Sequence, residues 1–197
     1  MRNEEKTSFS APNESAPNGA EKPAGGKKQK ASPAKRVAVA GILAALALAL
    51  SFLESLLPAL PFLPPGAKLG LSNIVVLFSV LTASLPQTMA IVVIKSAFTL
   101  FTAGGSAFFI SLCGGLLSCL VMFLLTRLRQ GTLSLVFVSV LSAISHNLGQ
   151  LAAVSLLSGT SLFAYLPALL LFGAVFGVLT GLILKIVMPV LLKIQHL

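Results

Sequence analysis

Four ionisable side chains, Glu54, Lys68, Lys95 and His146, stand in or beside long apolar stretches of this 197-residue chain. Charge is expensive to hold in apolar surroundings, so each must be paired, solvated or put to use. Lys95 has company: at about 100° per residue, Thr88, Thr99 and Thr102 fall in a narrow arc around it on a helix. Ser139, Ser142, His146 and Gln150 share a second helical face, with Asn147 at its edge, and Asn73 lies early in another apolar run. Glu54, Lys68, Asn73, Lys95, Thr99, His146, Asn147 and Gln150 are therefore the candidate substrate-binding residues. The other reading is structural: Lys95 pairs with Glu54, and His146 bonds Asn or Ser to lock the helices together.

The chain contains no aspartate, and four of its five glutamates, Glu4, Glu5, Glu14 and Glu21, precede residue 37. A magnesium-diphosphate site needs several oxygen ligands in near-octahedral geometry, which Glu54 cannot organise alone. Ser-His-Asp triads, Walker B sites and paired-carboxylate glycosidases also lack their parts. One histidine with one glutamate makes no zinc or iron site. Cys113 and Cys119 are six residues apart, about 120° around a helix, and should neither pair nor chelate. These residues are expected to bind rather than catalyse, without a metal or cofactor.

Hydrophobic residues make up 56% of the chain and charged residues 10%, with mean hydropathy +0.97. That balance belongs in a membrane. Lipid offers the backbone no partners, so the apolar runs are read as helices broken by Pro, Gly and Arg. Six are expected: Val37 to Leu57, Leu69 to Leu85, Gln87 to Ala103, Ser106 to Thr126, Thr132 to Ser158, and Phe163 to about Val187. The fold class is an all-α integral membrane six-helix bundle, covering residues 37–197.

Residues 1–36 are rich in Ala, Pro, Gly, Ser, Asn and Lys, with no face to bury, and are expected to be a disordered basic tail. Its basic cluster, Lys27 to Arg36, has no interleaved aromatics, so it points to cytoplasmic anchoring at anionic lipid rather than to nucleic acid. The first apolar run has spanning length, which argues against a cleavable signal. With the N-terminus inside, six crossings bring Arg127, Arg129, Lys185 and Lys193 inside too, as basic residues prefer. Lys68 is left in an outer loop. By a rise of 1.5 Å per residue, Glu54 lies roughly 25 Å and His146 roughly 21 Å from the inner ends of their helices, in the outer half.

The tail holds eight basic residues against four glutamates, and the body holds six against Glu54. Cations thus outnumber the one carboxylate near the polar cluster, which favours an anionic or electron-rich ligand. Small residues also repeat: Ala40 and Ala44 with Gly41, Ala45 and Ala49 on the first helix, and Gly173, Gly177 and Gly181 on the last. The glycines are expected to pack within the bundle. The alanines could do the same or meet another chain.

The segments Pro65-Gly66-Ala67-Lys68-Leu69-Gly70-Leu71-Ser72-Asn73-Ile74-Val75, Ser111-Leu112-Cys113-Gly114-Gly115-Leu116-Leu117-Ser118 and His146-Asn147-Leu148-Gly149-Gln150 together resemble the bacterial Gx transporter family, also labelled heptaprenyl diphosphate synthase component I. The resemblance covers about residues 36–190. Two departures stand out: the long tail, and Lys95 where an arginine is expected. The resemblance implies similarity to the S components of energy-coupling factor transporters, membrane proteins that bind substrate, have six helices and keep both termini cytoplasmic. It implies a cap from Pro58 to Lys68 over an outward-facing pocket, a contact through Ala40 and Ala44 with a transmembrane coupling subunit, and energy from separate ATPase subunits. It also implies a vitamin- or quinone-related small-molecule ligand and residence in the bacterial cytoplasmic membrane. The alternatives are a non-catalytic membrane subunit in heptaprenyl diphosphate or quinone synthesis, and a structural subunit of a membrane electron-transfer system.

Overall fold

Proline and glycine punctuate the chain, and the helices begin and end near them. The computed structural model describes residues 33–56, 70–128 and 133–196. Residues 1–32 of the expected basic tail, the expected cap from Pro58 to Lys68, and Arg129 lie outside the described residues.

Helix α1 runs over Pro33–Ser55, with proline at the first helical position, where its missing N–H costs nothing. It begins four residues before Val37, so Lys35 and Arg36 belong to its first turn and not to a tail. Helix α2, Asn73–Thr82, has ten residues where seventeen were expected, because Gly70, Leu71 and Ser72 form a turn instead. Helix α3, Leu85–Leu128, counts 44 residues, about 66 Å of helix and roughly twice the hydrocarbon thickness of a bilayer. It is two helices across a kink: Gly104, at φ 86° and ψ 178°, divides it into arms 85–103 and 105–128. The expected break at Gly104 and Gly105 is found there.

Helix α4 covers Leu135–Ser158 and stops at Gly159, whose left-handed φ of 64° suits a helix C-terminus. It starts three residues after the expected Thr132. A 3₁₀ turn, Phe163–Tyr165, leads into α5, Leu166–His196. The last helix thus starts later than Phe163 and continues through Pro189, well beyond Val187. No strand occurs among the described residues.

Four helical stretches are long and apolar enough to cross a membrane: Ala34–Ser55, Leu85–Leu128, Leu135–Ser158 and Phe163–Pro189. The chain is a multi-pass membrane protein. Leu156 and Ile186 are each 74% exposed, as expected of side chains that face lipid. The core draws Leu43 and Ala47 from α1, Val75 to Phe78 from α2, Ile91, Val92, Cys119 and Met122 from α3, Val138 from α4 and Leu184 from α5.

Close backbone approach locks the second half of the chain. A Cβ on Gly177 would lie 2.6 Å from Val140 Cα, and one on Gly181 2.7 Å from Val136 Cα. The repeated glycines of α5 are therefore the contact surface for α4, as the sequence pattern implied. Across it, the Ser139 and Thr180 hydroxyls share a 2.6 Å hydrogen bond.

Candidate functional site

The polar residues converge on the turn before α2. Gly70 takes a φ of +86°, which a side chain would strain. The Glu54 carboxylate, near the end of α1, accepts hydrogen bonds from the amides of Gly70 and Leu71. From the other side the Lys95 ammonium donates to Ser72 Oγ at 2.9 Å and to Asn73 Oδ1 at 3.5 Å. One four-residue turn is thus gripped by an anion through its backbone and by a cation through its side chains. Glu54, Asn73, Lys95 and Ser72 are all buried.

His146 closes the arrangement from α4. A Cβ on Gly70 would crowd Asn73 Nδ2 at 3.0 Å and touch His146 Cδ2 at an ordinary 3.5 Å, which places the turn between these two side chains. On its far side the imidazole lies against Gly114. A Cβ on Gly114 would lie 2.7 Å from Gln150 Cγ and 3.1 Å from His146 Cε1. Gly114 and Gly149 thus let the second arm of α3 and α4 touch backbone to backbone, with His146 and Gln150 beside the crossing. Two buried polar atoms in this cluster have no hydrogen-bond partner, Asn73 Nδ2 and His146 Nδ1.

Of the eight sequence-derived candidates, seven are described and all seven are buried; Lys68 lies outside the described residues. Glu54, Asn73, Lys95, His146 and Gln150 come together. Two others are engaged differently: the Thr99 hydroxyl donates to Ser96 O in its own helix at 2.6 Å, and Asn147 Nδ2 donates to Leu169 O of α5 at 2.9 Å. The stripe around Lys95 also breaks up. Thr102 is exposed and bonds Phe98 O, while Thr88 shares a hydrogen bond with Ser79 of α2. Ser72 was missed by the sequence reading, although its place beside Asn73 in a glycine turn was a usable signal.

The depth expected for His146 also changes. Because α4 starts at Leu135, His146 lies roughly 17 Å along it, at mid-helix rather than in an outer half. On α1, Ala40 and Ala44 are half-buried, and Ala44 packs against the core. The exposed small residues are Gly41, Ala45 and Ala49, with nothing within 4 Å of a Cβ placed on Gly41.

An apolar cleft of about 500 Å³ lies elsewhere, between Met89, Phe109, Cys113, Leu116, Leu120 and Ala153. It holds no convergent polar groups of the kind that orient a polar ligand. Among the described residues no three His, Cys, Asp or Glu side chains cluster as a metal site would require.

The family described as heptaprenyl diphosphate synthase component I matches residues 43–187. The chain belongs to this family. The match begins within α1, ends within α5 and takes in everything between, including both sides of the polar turn. This family member is also similar in fold to a solved S component of a bacterial ECF transporter, with a TM-score of 0.58 over 84% of this chain and 97% of that one. Sequence identity is 18%, so the likeness concerns the fold. No curated protein matches the chain significantly.

Proposed function

We propose that this chain is the substrate-binding membrane subunit of a transporter, a non-catalytic S component that captures a small anionic, vitamin-like or quinone-related ligand from the outer face. One observation carries the reading: a buried cluster in which Lys95, Asn73 and His146 meet around a glycine turn, with two polar atoms left without partners. Buried polar atoms are nearly always satisfied, so these two call for a partner from outside the chain, water or ligand, and a ligand is the reading taken here. The S-component fold supports the reading.

Six crossings, with the arms of α3 as two of them and both termini cytoplasmic, fit the placement of Lys35, Arg36, Arg127 and Lys185 near helix ends. Energy then comes from separate ATPase subunits through a coupling subunit. That partner meets α1 on its small-residue face, of which Gly41 and Ala45 are exposed and Ala40 and Ala44 half-buried.

The test is ligand binding. The purified protein is screened for thermal stabilisation by vitamins, flavins, quinones and prenyl diphosphates, and hits are repeated with Asn73→Ala, Lys95→Met and His146→Ala. Loss of stabilisation in all three supports the site. Undiminished binding in all three refutes it.

The family description favours a second reading, a non-catalytic membrane subunit that assists heptaprenyl diphosphate synthesis. Loss of that product on deletion, restored only by this chain, would establish it in place of transport.

A further inference from the structure

The apolar cleft begins where the second arm of α3 and α4 touch, since Cys113 and Gly149 both line it. Its shape follows from residue size. From α4 come small residues, Gly149, Ala152 and Ala153, while the arm presents one face of large ones, Phe109, Leu116, Leu117 and Leu120. Small side chains opposite large ones leave a trough that this chain does not fill. Leu117, Leu120 and Ala152 are exposed, so the trough opens on the outer surface of the bundle. From Phe109 to Leu120 it follows about 16 Å of helix, roughly half the hydrocarbon thickness of a bilayer and so the depth of one leaflet.

Both helices lie in stretches that cross the membrane, so what the trough opens on is hydrocarbon. Of its lining side chains only Cys113 and Met89 carry a heteroatom, a sulfur in each case and a weak hydrogen-bond partner. A polar cargo or a headgroup would lose its hydrogen bonds there. A helix of another chain, about 10–12 Å across, is too wide to enter between two helices in backbone contact. A single hydrocarbon chain is thin enough and has nothing to lose. We propose that the cleft seats one acyl chain of a bilayer lipid, retained as part of the bundle. Seated there, the chain supplies the dispersion contacts that the lining otherwise forfeits, and it packs against the crossing that carries His146 and Gln150. The lipid site is separate from ligand capture at the polar turn and stands or falls without it.

The test uses the absence of tryptophan from the chain. Leu117→Trp places a sole reporter at the cleft, and Leu171→Trp places one on α5, where the leucine is 65% exposed. Each full-length variant is titrated in dodecyl maltoside micelles with phosphatidylcholine brominated midway along its acyl chains, which quenches tryptophan on contact. The site predicts saturable quenching at Leu117→Trp, reversed by the unbrominated lipid, and quenching at Leu171→Trp that only follows the lipid content of the micelle. Ala152→Phe fills the cleft from its exposed side and should weaken the quenching at Leu117→Trp about tenfold, as overfilling a packed site does. Unchanged helical circular dichroism shows that this variant is folded, and Ala152→Leu gives the smaller version of the same change.

The same unsaturable quenching at both reporters means ordinary solvation by lipid and overturns the site. No quenching at Leu117→Trp, as when a second copy of the chain covers the cleft, overturns it as well. Geranylgeraniol that restores the fluorescence at lower concentration than the unbrominated phospholipid would make the guest a prenyl chain and overturn the acyl assignment.

Discussion

Replacing Gly149 by alanine adds one methyl group at the tightest helix crossing beside the polar cluster. Its Cβ would lie 2.9 Å from Cys113 O and 2.9 Å from Gly114 Cα, both backbone atoms that cannot rotate away. Ordinary contact begins near 3.4 Å, so the second arm of α3 and α4 must part by roughly half an ångström. Overpacking of this kind costs about 1–3 kcal/mol, against which alanine's better helix propensity returns up to about 1 kcal/mol. Gly41→Ala makes the same chemical change where nothing lies within 4 Å, and should be neutral or stabilising by up to about 1 kcal/mol. The two variants should therefore differ by about 2 kcal/mol in reversible SDS-titration unfolding followed by circular dichroism. Gly149→Ala should also weaken ligand binding, since His146 and Gln150 move with α4. Equal stability of the two variants, or a more stable Gly149→Ala, would refute the close crossing.

Glu54→Ala removes the acceptor for two amides of the polar turn and should destabilise the protein by about 2 kcal/mol, with Glu54→Gln milder because its amide oxygen still accepts; unfolding titrations decide. Gly70→Ala combines a strained positive φ with a Cβ 3.0 Å from Asn73 Nδ2, and should abolish ligand-induced thermal stabilisation even where the protein still folds. Ser139→Ala deletes a hydrogen bond between α4 and α5 and should cost under about 1 kcal/mol, whereas Gly177→Leu, aimed at Val140 Cα, should prevent purification of folded protein. Ala45→Leu on the exposed face of α1 should leave the melting temperature unchanged and reduce co-purification with a coupling subunit, and unchanged co-purification would remove that face as the contact.

The helices were legible in the sequence because lipid allows the backbone few options and because Gly104 breaks the run locally. The start of α2 was not. The expected helix ran from Leu69 across Gly70, Ser72 and Asn73, where the chain instead turns, its Gly70 and Leu71 amides bound by a carboxylate sixteen residues away. The continuation of α5 past Pro189 was hidden for the opposite reason, since proline removes one donor without ending a helix whose other backbone groups are paired. Within the site, residue type and helical spacing found His146, Gln150 and Lys95, which point inward from mid-helix. They could not show that Asn147 is engaged by α5, nor that Ser72 lies against Lys95, because both depend on contacts between elements distant in sequence.

Helix length explains why these particular groups meet. Asn73 is the first residue of α2, yet it touches Lys95, which lies midway along the first arm of α3, and it shares the space at Gly70 with His146, midway along α4. Ten helical residues rise about 15 Å, half the hydrocarbon thickness of a bilayer, so the turn that precedes α2 sits deep in the bundle. Non-helical backbone at that depth survives only where protein supplies its hydrogen bonds or where it lines a cavity. Glu54 supplies them for Gly70 and Leu71. Its carboxylate therefore holds the turn, while Asn147 bonds α5 and Thr99 its own helix. Asn73 Nδ2 and His146 Nδ1 remain, with the Lys95 ammonium beside them. If the chain binds a ligand there, as proposed, that ligand meets neutral polar atoms as well as a cation, so the surplus of cations in the sequence describes only part of what it would contact.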